Sequence, residues 1–170
     1  MSENEMKFIM NEYLEVNVKP NLVSLCSDCY HALGWTIVNT SNRIDSVTLR
    51  MQRDRKIKNR VALCDLQRKC EDAFITVEKL EKSKTTNPMA ASLSLGLIGT
   101  IFVAGSVFAY LASLILVGVI FAIPGFAIWG SAYFVYDKLL KKSKDTINPM
   151  IDQNYDLIYE ACEKAIHLLQ

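Results

Sequence analysis

The alternation of apolar and polar residues in the first third of the chain predicts a small sheet. In YLEVNVK every second residue is apolar, which is the pattern of a strand with one buried face. Pro20 suits the first turn of a helix, and Gly34 is suited to end it. WTIVN and SVTLRMQR predict two further strands, joined by turn-forming residues. We therefore expect residues 1–53 to form a βαββ head.

Two later stretches repeat apolar residues at alternating spacings of three and four, which is typical of a coiled-coil seam. The first seam lies on a long stalk helix expected at 54–84, and the second lies in the C-terminal segment 137–170. The two seams comprise Leu63, Leu66, Cys70, Ala73, Val77 and Leu80, then Ile147, Ile151, Tyr155, Ile158, Cys162, Ile166 and Leu169. If both helices continue from one hairpin, they run antiparallel and place Arg60 near Cys162.

The region between the seams carries no charge. Residues 85–136 contain no Asp, Glu, Lys, Arg or His, so all 19 basic and 18 acidic residues lie elsewhere. One membrane helix needs about 20 apolar residues. The block therefore predicts a transmembrane helical hairpin, with spans at about 87–110 and 114–136.

The charges beside this block predict its orientation. Lysines and arginines flank both ends of the block and are absent from its central turn, which places both termini in the cytoplasm. The first 30 residues lack the features of a signal peptide, so we expect the first span to act as its own insertion signal. We expect an integral plasma (inner) membrane protein. Four lysines beside the second span are candidate contacts for anionic lipid: Lys138, Lys141, Lys142 and Lys144.

Small residues recur at four-residue spacing along both spans. The expected membrane-packing residues are Ser92, Gly96, Thr100 and Ala104 on the first span, with Gly118 and Ala122 on the second. Small residues allow helix backbones to approach closely in lipid. Two interpretations remain open: the ridges pack the hairpin against itself, or one ridge is left for self-association.

The stretch SLCSDCYHALGW contains the residues most suggestive of chemistry. Cys26 and Cys29 both fall on the apolar stripe of the predicted helix, whereas His31 lies on its opposite side. Cysteines on such a stripe behave as small core residues. We therefore expect no metal and no cofactor, and thiol chemistry at this pair remains the alternative.

The most basic stretch of the chain is RMQRDRKIKNR, residues 50–60. It lacks interleaved aromatic residues, which argues against binding of single-stranded nucleic acid. In the expected antiparallel stalk, Glu160 and Glu163 lie opposite residues 56–60. Pairing of these charges within the chain is the favoured interpretation.

A resemblance is carried by Leu33, Gly34, Trp35 and Val38 within LGWTIV. Residues 11–55 resemble a small uncharacterised bacterial domain that has a strand, a helix and two strands, with a Gly-Trp signature after the helix. Thr36 replaces the acidic residue usual in that family. The resemblance implies the fold of the head, and the family has no established activity that could be transferred to this chain.

The sequence as a whole predicts an α+β membrane protein, in which the hairpin continues into an antiparallel cytoplasmic helical stalk and a βαββ head. No catalytic constellation is evident, so we expect a non-enzymatic, membrane-anchored module that binds a protein partner. The candidate partner surface comprises Tyr13, Arg50 and Arg53. The alternative is a homo-oligomeric scaffold or uncharged pore. Expected partners are membrane lipid and either another protein or further copies of the chain, without nucleic acid or a small-molecule substrate.

Overall fold

The fold was determined as a computed structural model, which describes residues 10–170. It is mixed α+β, with one three-stranded antiparallel sheet and two long apolar helices. The first nine residues of the expected 1–53 head lie outside the described residues. The elements in chain order are β1 (Asn11–Val18), a short 3-10 turn (Pro20–Leu22), α1 (Val23–Ala32), β2 (Thr36–Asn42), β3 (Val47–Asp54), α2 (Arg60–Leu111) and α3 (Ile115–Leu169).

The chain divides into two compact units. The first unit contains described residues 10–75 together with 153–170, and the second unit is Thr76–Asp152. The long helices α2 and α3 therefore contribute to both units.

The strand-helix-strand-strand order expected from the sequence is confirmed. The sheet order is β1-β3-β2, with β3 in the centre and both pairings antiparallel. Leu14 pairs with Met51, and Glu15 pairs with Arg50. Because neighbouring residues of a strand face opposite sides, the Leu49–Met51 side is buried and the Arg50 side is exposed.

Gly34 ends α1 as expected. Its φ is +83°, a left-handed conformation that glycine adopts without a Cβ penalty. Its N–H donates to the carbonyl of His31 at 3.0 Å. Space is also restricted there, since an added Cβ would lie 2.5 Å from Cδ1 of Ile57.

Helix α2 begins at Arg60, six residues after the expected start at Asp54. The intervening residues form a turn, in which Ile57 N–H donates to the Asp54 carbonyl and Asn59 has a φ of 53°. Near its other end, α2 is joined to α3 by a tight connection containing Ser113, with a φ of 63°. Asn148-Pro149 lies inside the continuous α3.

Both long helices contain stretches that are long and apolar enough to cross a membrane. In the most apolar windows, only 6% of α2 and 11% of α3 is buried. Side chains such as Ile101, Phe108, Leu116 and Phe134 are at least 70% exposed. Few residues of these windows are buried within the protein, and many of their large apolar side chains are exposed.

Candidate functional site

Three thiols meet inside the first unit. The Sγ atoms of Cys29, Cys70 and Cys162 all lie within 4.8 Å of one another. They come from three different helices, α1, α2 and α3. Cys29 and Cys70 are almost completely buried, at 1% and 2% exposure, whereas Cys162 is half-buried.

Each cysteine reaches this cluster because it occupies an apolar position of its helix. Cys29 lies on the buried stripe of α1, and Cys70 lies on the α2 seam between the buried residues Leu66 and Ala73. On α3, the small residues Ala161 and Ala165 lie on the buried face and are at most 4% exposed. Ile166, which was expected to be buried, is 47% exposed. The apolar stripes of the three helices face one another, and because each stripe carries a cysteine at this point, the three thiols meet.

The electrostatics of the cluster distinguish its members. Hydrogen bonds from the thiols of Cys29 and Cys70 lower the pKa of Cys162, because they stabilise its thiolate. The pKa of Cys29 is raised by its hydrogen bonds with Cys162 and Cys70 and then by burial. The pKa of Cys70 is raised by its hydrogen bond with Cys162 and by burial, which outweigh the lowering effect of its hydrogen bond with Cys29.

The sequence did not predict this cluster. Cys26 is buried outside it, and the Sγ of Cys64 instead accepts a hydrogen bond from Arg53 at 3.6 Å. The expected placement of Arg60 near Cys162 is wrong. Cys162 lies with Cys70, which is ten residues, or about 15 Å, further along α2.

Polar side chains next to the cluster join α1, and Trp35 just before β2, to α2. The Tyr30 hydroxyl donates to Glu71 at 3.0 Å, and the Trp35 indole N–H donates to Gln67, also at 3.0 Å. The Gln67 amide in turn donates to Glu71 at 2.8 Å. Burial and the Glu71 carboxylate raise the pKa of Tyr30, which therefore remains a hydrogen-bond donor.

A second constellation surrounds Arg53, which was expected to be part of an exposed partner surface. That expectation is wrong, because Arg53 is only 3% exposed. Its guanidinium lies 2.6 Å from a carboxylate oxygen of Glu12, 3.2 Å from the carbonyl of Leu33, and 4.3 Å from the Trp35 ring centre. The side chain is held on the inner side of the sheet by an ion pair and a cation–π contact.

The other two residues of the candidate partner surface lie on the opposite, exposed side of the sheet. Tyr13 is 67% exposed. Arg50 is exposed beside Glu15, with 3.7 Å between their charged atoms. The edge strand β2 is exposed along its whole length, including Val38 at 52%. Tyr13 and Arg50 therefore share a surface from which Arg53 is excluded.

The charges of the basic stretch pair differently from the expectation. Arg60 lies 2.7 Å from the carboxylate of Glu12, and Glu160 pairs with Lys164 on its own helix. Glu12 thus bridges two arginines. Burial alone would raise the pKa of Glu12, but the hydrogen bonds from Arg60 and Arg53 outweigh this effect and lower it.

In the second unit, the closest helix approaches use glycines that only partly match the expected ridges. A Cβ at Gly118 would lie 3.3 Å from the carbonyl of Ser106, and one at Gly99 would lie 3.2 Å from that of Gly125. Gly96 has no such neighbour within 4 Å. Of the other expected packing residues, Ser92 and Ala122 are half-buried, and Thr100 and Ala104 are exposed.

The four lysines after the uncharged block are arranged along one segment of α3. Lys138, Lys141, Lys142 and Lys144 are all exposed. Lys141 pairs with Asp137 at 2.7 Å, one helical turn before it. Lys142 borders a shallow groove of about 390 Å³ whose lining includes Asn87 and Pro88.

Potentially reactive or metal-binding side chains thus converge most closely, within the described residues 10–170, at the thiol cluster. The sequence could have identified these three cysteines only if the apolar stripe of α1 and the seams of α2 and α3 had been placed in their correct relative register. No protein-family model, no curated protein and no solved structure matches this chain.

Proposed function

We propose that this protein is anchored in the plasma (inner) membrane by the hairpin of residues 85–136 and that its first unit acts in the cytoplasm as a protein-interaction module. The observation that carries the proposal is the uncovered apolar surface of the two helices, whose most apolar windows are only 6% and 11% buried. In water this surface would be costly, because the gain from burying it is about 25 cal/mol per Å². A hydrocarbon environment removes the cost.

The first unit is built from two separate segments of the chain, and this arrangement supports the proposed topology. This unit combines residues before the hairpin with residues 153–170 after it. The Asn59 side chain donates to the carbonyl of Leu168 at 2.9 Å, so the two segments are in direct contact. Such a unit can assemble only if both segments lie on the same side of the membrane. The flanking lysines and arginines favour the cytoplasmic side.

The exposed side of the sheet is the proposed partner surface. Tyr13 offers an aromatic side chain and Arg50 a guanidinium, and both types are enriched where proteins bind one another. The strand β2, which includes the exposed Val38, lies at the edge of the described sheet, and edge strands can pair with another chain. These features suit protein binding, and we propose no catalytic role.

Topology is tested by labelling intact cells with a membrane-impermeant maleimide. Ser113→Cys lies in the turn between the spans and is expected to be labelled from outside. Ser143→Cys, on the cytoplasmic side, is the matched control and should be labelled only after lysis. Labelling of both or neither in intact cells, or extraction of the chain by carbonate, would overturn the proposed anchor.

Partner binding is tested on complexes extracted from native membranes in mild detergent. A second protein at fixed stoichiometry is expected with the wild-type chain. The combination of Tyr13→Ala and Arg50→Glu should release it while membrane insertion persists. The control Lys164→Glu, an exposed charge reversal on α3, should retain it. Retention by both variants would exclude the proposed surface.

A homo-oligomeric scaffold or pore is the second candidate function. The observation that favours it is the ridge of Gly96, Thr100 and Ala104, which the hairpin leaves without close contacts at Gly96 and exposed at the other two positions. Small residues support close helix association in lipid. Gly96→Leu should then abolish a defined oligomer, and an oligomer unaffected by this change, or a monomeric wild type, would count against the scaffold.

A further inference from the structure

We propose that Cys29, Cys70 and Cys162 bind a zinc ion. These thiols lie in the first unit, well separated in sequence, with their three Sγ atoms within 4.8 Å of one another. Thiolate sulfur is a preferred ligand of zinc, and this site goes beyond the proposed anchoring and partner-binding functions.

The distances suit a metal of this size. A Zn–S bond is about 2.3 Å long, so sulfurs at tetrahedral angles around zinc lie about 3.8 Å apart. The cluster already holds its sulfurs within 4.8 Å, so movements of about 1 Å by side-chain rotation complete the coordination. The helical backbones need not unwind, because each sulfur comes from a different helix.

The exposure of the three cysteines indicates where the fourth ligand binds. Cys29 and Cys70 are buried, whereas Cys162 is half-buried. The open position therefore faces the solvent side of Cys162, where water completes the tetrahedron. Zinc sites with three protein ligands keep such a position.

Charge favours zinc over a monovalent thiophilic ion. Three thiolates with Zn²⁺ leave one negative charge, whereas three thiolates with Cu⁺ leave two. The carboxylate of Glu71 is adjacent in sequence to Cys70 and accepts hydrogen bonds from Tyr30 and Gln67. A second uncompensated charge in this half-buried site would add to its desolvation cost. The divalent ion is accordingly the better fit.

The proposal is tested on the full-length protein in detergent micelles with reductant present. After a chelator has removed bound metal, Zn²⁺ is added and its stoichiometry and affinity are measured by elemental analysis and by competition with a chelating dye. We expect one zinc per chain. Cys29→Ser, Cys70→Ser and Cys162→Ser should each weaken zinc binding by about 100-fold or more, a larger loss than follows from removing a residue that only hydrogen-bonds to a ligand.

Two other cysteines provide matched controls. Cys64→Ser removes a half-buried thiol from α2, and Cys26→Ser removes a buried thiol from α1, both outside the cluster. Both variants should bind zinc as the wild type does. Absence of stoichiometric zinc in the wild type, or equal weakening in the cluster and control variants, would overturn the site.

The control for loss of folding is Cys162→Ser, because Cys162 is the least buried of the three proposed ligands. Zinc should raise the Tm of the wild type and leave that of the folded variant unchanged. If the serine variants do not fold, Co²⁺ bound to the wild type decides the question. Cobalt bound tetrahedrally by three thiolates gives visible d–d bands and a sulfur-to-cobalt charge-transfer band whose intensity reports the number of thiolates. Observation of these bands supports the site, and their absence contradicts it.

Discussion

The guanidinium of Arg53 and the carboxylate of Glu12 form an ion pair 2.6 Å long on the inner side of the sheet. The arginine side chain is 2% exposed, and that of Glu12 is 20% exposed. A second pair between the same strands, Arg50 with Glu15, is 3.7 Å long and open to solvent. The two pairs therefore differ in burial and in length, and Glu12 also pairs with Arg60 at 2.7 Å.

We predict that Glu12→Gln lowers the unfolding free energy of the first unit by about 3 kcal/mol, because it leaves Arg53 buried without its counter-charge. Glu15→Gln should cost less than about 0.5 kcal/mol, since exposed pairs contribute little. Chemical denaturation followed by Trp35 fluorescence measures both, in a Trp129→Phe background that leaves one tryptophan. Equal losses in the two variants would show that the buried pair has no special role.

The same carboxylate predicts an acid-sensitive contribution to stability. The pKa of Glu12 is lowered in the folded chain, so the folded state favours its charged form. Its contribution is complete above the ordinary carboxyl pKa and is lost as the pH falls through the lowered value. The stability difference between wild type and Glu12→Gln should therefore shrink between about pH 5 and pH 2. A difference that is constant over this range would contradict the prediction.

Close packing in the second unit predicts which hairpin glycines tolerate larger side chains. A Cβ at Gly125 would lie 3.0 Å from the Val103 side chain and 3.2 Å from its backbone nitrogen, whereas one at Gly130 meets nothing within 4 Å. Gly125→Leu should separate the helices and Gly130→Leu should not. Oxidative cross-linking of cysteines placed at Phe102 and Phe121, whose rings are 6.0 Å apart, reports the change. The cross-linking rate should fall in the first variant only.

The turn after α1 gives a further prediction. Gly34→Ala places a side chain at a φ of +83° and against Ile57, so the variant should lose about 1–3 kcal/mol of stability. His31→Ala, at an exposed position of the preceding helix, is the control and should change stability by less than about 0.5 kcal/mol. Thermal unfolding of the two variants compares them directly.

Local pattern was sufficient for the strands and for α1, because alternation and a terminal glycine act within a few residues. The same alternation would have placed Arg53 beside Met51 on the buried side. Its charge instead suggested an exposed position, and only the tertiary pairing with Glu12 shows why burial is tolerated. Gly99 was missed because its spacing from Gly118 and Gly125 along the chain carries no information about which helix faces meet.

The thiol cluster was beyond sequence reasoning for a related reason. Its formation depends on the relative register of α2 and α3, which a heptad seam leaves free to slide by whole turns. The expected register placed Arg60, rather than Cys70, beside Cys162. A change of a few turns in the register of α2 against α3 is enough to bring cysteines that are distant in sequence into one cluster.

The split composition of the first unit has a consequence during synthesis. During translation, residues 10–75 emerge from the ribosome before the uncharged block, and residues 153–170 emerge last. Until that final segment arrives, the buried face of α2 around Cys70 lacks the part of its core that contains Cys162. A nascent chain that crosses the membrane only once would strand the last segment on the far side and keep this apolar surface open. In the proposed membrane-anchored protein, a chain inserted with the wrong topology would therefore leave its first unit incomplete and expose the hydrophobic surface that chaperones and proteases recognise.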